Sequence, residues 1–106
     1  MAGVIAYVGL GANLDDPHAQ VLRALGELAA LPQTELIARS SLYRSAPVDA
    51  AGPDYVNAVV RLCTRLDAAD LLRALQAIEQ RHGRVRTGFN SPRTLDLDLL
   101  LYGDKR

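Results

Sequence analysis

The stretch Pro92-Arg93-Thr94-Leu95-Asp96-Leu97-Asp98-Leu99-Leu100-Leu101 decides the fold, because from Leu95 to Tyr102 it reads as a last strand that closes the chain's pattern. Strand side chains alternate between faces, so Asp96 and Asp98 project from one side and Leu95, Leu97 and Leu99 from the other. The two carboxylates then stand about 7 Å apart at the Cα level. A positive group between them balances the repulsion. A magnesium-bound polyphosphate fits, since hard oxygen ligands suit magnesium and magnesium accompanies phosphate. Arg93, just before the pair, offers a planar and permanently charged donor for phosphate oxygens. The plainer reading is two solvated carboxylates on an amphipathic strand, neutralised by Arg93 or neighbouring arginines. A D-x-D pair alone leaves both readings open.

Upstream, the chain alternates strand and helix signals. Val4 to Leu10 is apolar and rich in strand formers, and Gly9-Leu10-Gly11-Ala12-Asn13 reads as its closing loop. Asp15 or Asp16 caps a helix with Pro17 in the first turn. Val21, Leu22, Leu25, Leu28 and Ala29 follow at helical spacing, and Leu31-Pro32 ends the run. Gly26 weakens this helix by about 1 kcal/mol relative to Ala. Glu35 to Arg44 reads as a second strand and Ser45 to Asp54 as a loop carrying Pro47, Gly52 and Pro53. Tyr55 to Arg65 is a third strand. Its Val56, Ala58, Val60 and Leu62 share one face, and Tyr55, Asn57 and Val59 the other. Asp67 caps a second helix with a stripe of Leu71, Leu72, Leu75 and Ile78, and Gly83 stops it. Arg84 to Pro92 is then a loop.

The order β-α-β-β-α-β predicts an α+β, ferredoxin-like fold: an antiparallel four-stranded sheet with both helices on one face. The other face stays open. By parity Asp96, Asp98, Tyr55 and Asn57 share it.

The 106 residues suffice for one domain, residues 1–106, with a core that needs no staples. Twelve basic and twelve acidic residues cancel, so no overall field draws the chain to nucleic acid or membrane. Cys63 is the single cysteine, which excludes an intrachain disulfide and suits a reducing compartment. It reads as a small packing residue. Neither a signal peptide nor a membrane span is evident, and a cytoplasmic location is expected.

In its motifs the chain resembles the hydroxymethyl-dihydropterin pyrophosphokinases of folate biosynthesis. The resemblance spans essentially all of it. It rests on Ala6-Tyr7-Val8-Gly9-Leu10-Gly11-Ala12-Asn13-Leu14, Ser41-Leu42-Tyr43-Arg44-Ser45 and Pro53-Asp54-Tyr55-Val56-Asn57-Ala58. Ile78-Glu79-Gln80-Arg81-His82-Gly83-Arg84-Val85-Arg86 and Pro92-Arg93-Thr94-Leu95-Asp96-Leu97-Asp98 complete it, the last block being the most specific.

The resemblance implies a transferase that moves pyrophosphate from ATP to 6-hydroxymethyl-7,8-dihydropterin and releases AMP. It implies two Mg2+ ions, held with the ATP phosphates by Asp96 and Asp98. Arg84, Arg86 and Arg93 match arginines on the ATP phosphates, with Arg84 and Arg93 assisting transfer. Gln76 and Glu79 match positions beside the nucleotide, against the alternative of a solvated helix face. Leu99 matches a contact near adenine, with core packing as its rival. For the pterin, Asn57 offers donor and acceptor to the ring's amide edge. Tyr55 matches a ring contact, and Gly11, Ser45 and Val48 sit where loop backbone approaches the ring. Arg81 reads as a surface arginine paired with an acid, His18 as a surface residue, and His82 as a cation at a helix C-terminus.

The chain departs from the family pattern in two places. Thr87-Gly88-Phe89-Asn90-Ser91 is shorter than the family's basic and aromatic stretch, with Phe89 as the candidate aromatic. Ala46 stands where a proline is usual. Family members also continue past the fourth strand, so a fragment is expected; a complete protein is expected as a monomer, and a truncated one to self-associate. A regulatory or ligand-binding ferredoxin-like module is the rival from another class. An RNA-recognition domain is a weaker one, since the chain lacks the basic-Gly-aromatic signature.

Overall fold

A computed structural model of the chain describes residues 3–14, 16–46, 53–83 and 95–104. The elements are β1 (Val4–Ala12), α1 (Pro17–Ala29), β2 (Thr34–Arg39), β3 (Tyr43–Ser45), β4 (Tyr55–Thr64), α2 (Ala68–Arg81) and β5 (Asp96–Tyr102). The strands form one antiparallel sheet in the order β2-β4-β1-β5, with the short β3 beside the start of β4. This is the expected α+β, ferredoxin-like layout, with a fifth strand added.

The added strand comes from dividing the expected Glu35–Arg44 segment. Ser40 makes the break. Its N–H donates to Val59 O at 2.8 Å, while its Oγ accepts from Val59 N at 2.9 Å and donates to Ser41 O at 2.8 Å. A hydroxyl thus takes the place of a ladder carbonyl and turns the backbone out of register. β2 is further bent by a register shift between Leu36 and Ala38. Ser45, expected in a loop, therefore pairs with Tyr55 as part of β3.

Strand β1 also runs longer than its sequence suggests. Gly9 and Gly11 read as a loop, yet β1 continues to Ala12 because both its edges are paired, with β4 and with β5. Tertiary pairing overrides the poor strand propensity of glycine.

The core lies between the sheet and the two helices. Ala6, Val8, Leu10 and Ala12 of β1 meet Ala58, Val60 and Leu62 of β4, and Leu95 and Leu97 extend the layer. Val21, Ala24, Leu25 and Leu28 of α1 and Leu71, Leu75 and Ile78 of α2 cover them. Leu22 and Leu72, expected in the stripes, are instead 46% and 43% exposed, and Ala29 is exposed while Ala24 is buried. Each exposed leucine directly follows a buried residue, one helical step of about 100° off the buried line.

The caps agree with the sequence. Asp16, in the left-handed region at φ 59°, accepts from Ala19 N at 3.4 Å and precedes Pro17. Asp67 accepts from Asp70 N at 2.8 Å, and Gly83, at φ 79°, ends α2 after His82.

His82 stands at the C-terminus of α2 as expected, but buried. Its side chain is fully buried and joins the two helices: Nε2 bonds the Glu27 carboxylate, and Nδ1 meets Gln20 Oε1 and, at 3.2 Å, Arg23 Nη2. Arg81 Nε donates to the other Glu27 oxygen at 3.3 Å, the acidic partner expected for that arginine. Burial raises the pKa of the Glu27 carboxyl, but hydrogen bonds and charge from His82 and Arg81 outweigh it and hold the group below 4.5.

A carboxyl with a depressed folded pKa stabilises the protein above its unfolded value, and that contribution is lost as pH falls through the folded value. We therefore predict that acidification below about pH 5 lowers Tm more steeply in the wild type than in Glu27→Gln. Parallel thermal melts of the two proteins across that range check this; equal slopes would remove Glu27 from the acid response.

Candidate functional site on the open sheet face

Alternation along β1, β4 and β5 sends one set of side chains away from the helices. Register then lines them up across strands. Asp96 of β5 pairs with Gly11 of β1, Gly11 with Asn57 of β4, and Asn57 with Tyr43 of β3. The adjacent row runs Asp98, Gly9 and Val59. Neighbouring strands lie about 4.8 Å apart, so the backbones of Asp96 and Asn57 are about 10 Å apart across Gly11. The strip between them has no side chain. It is a floor of bare backbone with carboxylates along one margin and an amide along the other.

Gly11 is required by close approach rather than by its dihedral angles. A Cβ there would lie 3.2 Å from Asn57 Oδ1 and 3.6 Å from Tyr55 Cδ1. The carboxamide and the tyrosine ring thus border the strip. Asn57 is oriented from the far side: its Nδ2 donates to Ser45 Oγ at 2.8 Å and to Tyr43 O at 3.3 Å, which turns Oδ1 toward Gly11. At Gly9 the neighbour is Leu100, whose Cδ1 lies 3.4 Å from a built Cβ. Leu100 follows Asp96 and Asp98 on this face by alternation, and β5 then carries an extra residue where the pairing shifts between Tyr7 and Val8. The same bulge returns Tyr102 to the helix side, where its hydroxyl donates to Leu66 O at 2.7 Å.

Asp96, Asp98, Tyr55 and Asn57 therefore share one face as expected from parity, and Gly11, read from the sequence as a loop residue, joins them from β1, with Ser45 behind Asn57. Gln76, Glu79 and Leu99 do not join them. Gln76 is exposed on α2, and Leu99 packs against the core on the helix side. Glu79 is only 3% exposed, which overturns the alternative of a solvated helix face for this residue. Its Oε2 accepts from Leu97 N at 2.8 Å, between the two aspartates. Val48, Arg84, Arg86 and Arg93, and Phe89 with them, lie outside the described residues.

Sequence reasoning passed over Gly9, Leu100 and Asn13 as site-shaping residues. Asn13 is buried and its Nδ2 donates to Pro53 O at 3.3 Å, tying the end of β1 to the approach of β4. An asparagine two residues after the Gly9-Leu10-Gly11 run was the available signal.

A divalent cation fits this donor set. Among the described residues no group of three or more His, Cys, Asp or Glu side chains gathers to form a closed protein cage. Two carboxylates on an open face match the habit of Mg2+, which takes one or two carboxylates and completes its shell with phosphate and water.

Residues 7–105 match the family described as 7,8-dihydro-6-hydroxymethylpterin-pyrophosphokinase. This chain belongs to that family. It is 51% identical over 100 residues to the 2-amino-4-hydroxy-6-hydroxymethyldihydropteridine pyrophosphokinase of Pseudomonas aeruginosa, covering 93% of this chain and 62% of that protein. The enzyme of the same name from Haemophilus influenzae is 46% identical over 103 residues, covering 96% and 64%. A folic acid synthesis protein of Schizosaccharomyces pombe is 38% identical over 101 residues, covering 94% of this chain and 14% of its own length. The chain thus spans somewhat under two thirds of the bacterial relatives it matches here.

Gly11→Ala tests the floor directly. The added methyl pushes Asn57 Oδ1 by a few tenths of an ångström, and the prediction is a shift of the Asn57 side-chain NH2 resonances with the β1–β4 amides still protected. An unmoved Asn57 would show that the carboxamide does not lie over this glycine.

Proposed function

We propose that this protein transfers the pyrophosphoryl group of ATP to the hydroxymethyl oxygen of 6-hydroxymethyl-7,8-dihydropterin, releasing AMP, within folate biosynthesis. The observation that carries the proposal is the shared open face. Asp96 and Asp98 stand opposite Gly11 and Gly9, with Asn57 across the same glycine floor. Family membership and the names of the relatives support the same reaction.

In this reading the hydroxymethyl oxygen bonds to the β-phosphorus, the bond from that phosphorus to the α–β bridging oxygen breaks, and the hydroxyl proton passes to solvent. Asp96 and Asp98 would hold two Mg2+ ions with the triphosphate. Bound there, magnesium would neutralise phosphate charge and align the reacting oxygens. Asn57 fixes the pterin through Oδ1, and its anchorage by Ser45 and Tyr43 O sets the angle of that contact. Tyr55 flanks the ring beside Gly11. The backbone of Gly9 and Gly11 admits a flat ligand close to the sheet. Arg84, Arg86 and Arg93 bind the phosphates, and Gln76 lies toward the nucleotide. No general base is assigned, because phosphoryl transfer depends chiefly on alignment and charge stabilisation. We place the reaction in the cytoplasm, with the complete protein as a monomer that needs neither nucleic acid nor membrane; no helix among the described residues is long and apolar enough to cross one.

Asp96→Ala and Asp98→Ala should each reduce ATP-dependent transfer below detection while leaving circular dichroism unchanged. Turnover at the wild-type rate in either would remove that residue from the site. Asn57→Ala should weaken pterin binding about tenfold, the worth of roughly one hydrogen bond, in titrations with a non-hydrolysable ATP analogue present. An unaltered Kd would assign pterin recognition elsewhere.

A further inference from the structure

A carboxylate buried within the last turn of a helix is costly twice over. It leaves water, and it faces the negative end of the helix dipole. Glu79 pays both costs: it lies two residues before the end of α2, 3% exposed, next to the fully buried Ile78. Burial alone would favour an apolar residue there. The hydrogen bond Glu79 makes to β5 gives one reason for a carboxylate here. Oε2 accepts from the backbone N–H of Leu97 at 2.8 Å, and that N–H belongs to the peptide joining Asp96 to Leu97.

Among the described residues β5 stands at the end of the strand order, with β1 as its strand neighbour. Leu97 pairs with Leu10, and its N–H points away from β1 toward α2. On that outer side Glu79 holds the strand at the midpoint between Asp96 and Asp98. The hydrogen bond is charge-assisted, hence stronger and more directional than a neutral one.

From this we infer that Glu79 is a positioning residue: through Leu97 N it fixes the peptide between the two aspartates and so sets the spacing at which they present their carboxylates to a divalent cation. The inference rests on the reading of Asp96 and Asp98 as cation ligands. It assigns Glu79 a role exerted through the backbone and not by touching nucleotide.

Two variants separate this role from simple packing. Glu79→Met keeps the volume and removes the acceptor; Glu79→Gln keeps an acceptor and removes the charge. In Glu79→Met, Tm should fall, because the buried Leu97 N–H loses that acceptor, the Leu97 amide should exchange faster, and the Mg2+ concentration that half-saturates binding of a non-hydrolysable ATP analogue should rise about tenfold, the scale of losing a supporting partner of a metal ligand. Pterin affinity at saturating Mg2+ should stay unchanged. Glu79→Gln should restore cation dependence to within about threefold of wild type, at most about 0.7 kcal/mol. Wild-type Mg2+ dependence in Glu79→Met, or a Gln variant as impaired as the Met one, overturns the inference. Asp98→Ala, run alongside, shows which idea has failed: if it too keeps wild-type Mg2+ dependence, the aspartates are not the ligands and both readings fall.

Discussion

Strand β1 has a partner on each edge, and the placement of Asp96, Asp98, Gly11 and Asn57 follows from that constraint. With β4 on one side and β5 on the other, the register of two ladders brings residues from distant parts of the chain into common rows. Glycine at positions 9 and 11, two of the outward-facing positions of β1, leaves those rows unobstructed in the middle. A side chain at either would fill the floor on which Asp96, Asp98 and Asn57 converge. The same pairing explains why a Gly-x-Gly segment stays extended here: its conformation is imposed from both sides.

The second organising feature is the contrast between the two faces. The helix side is packed, and several of its buried polar groups have specific partners among the described residues. Thr64 meets Thr34 through their hydroxyls at 2.7 Å, and His82 is enclosed by Glu27, Gln20 and Arg23. The open side instead carries carboxylates, an amide and a tyrosine. Chemistry is gathered on the face that solvent and substrates reach, while the opposite layer supplies rigidity. Glu79 joins the two, being a helix-side residue whose hydrogen bond ends on the peptide between the aspartates.

Much of this was legible in the residues. Period-two alternation in β4 and β5 placed Tyr55, Asn57, Asp96 and Asp98 on one face, and caps at Asp16 and Asp67 marked both helices. What was not legible depended on long-range partners. The division of β2 from β3 hangs on one serine hydroxyl competing for Val59 N, which no local pattern announces. Leu22 and Leu72 are chemically suited to the core, and only the direction of each helix against the sheet excludes them. His82 read as a cation at a helix C-terminus and Glu79 as a residue beside the nucleotide or on a solvated face, yet each is buried against a partner more than ten positions away. The roles of Arg84, Arg86, Arg93 and Val48 rest on family motifs alone.

The single cysteine offers a practical consequence. Cys63 lies on β4 with Asn57, Val59 and Arg61, on the side away from the helices, and it is partly exposed and unpaired. Six residues of strand separate it from Asn57, about 20 Å. A thiol-reactive fluorophore or spin label would attach there without any engineered mutation. It would sit far enough from the glycine floor to leave it clear, and near enough to register what settles on it.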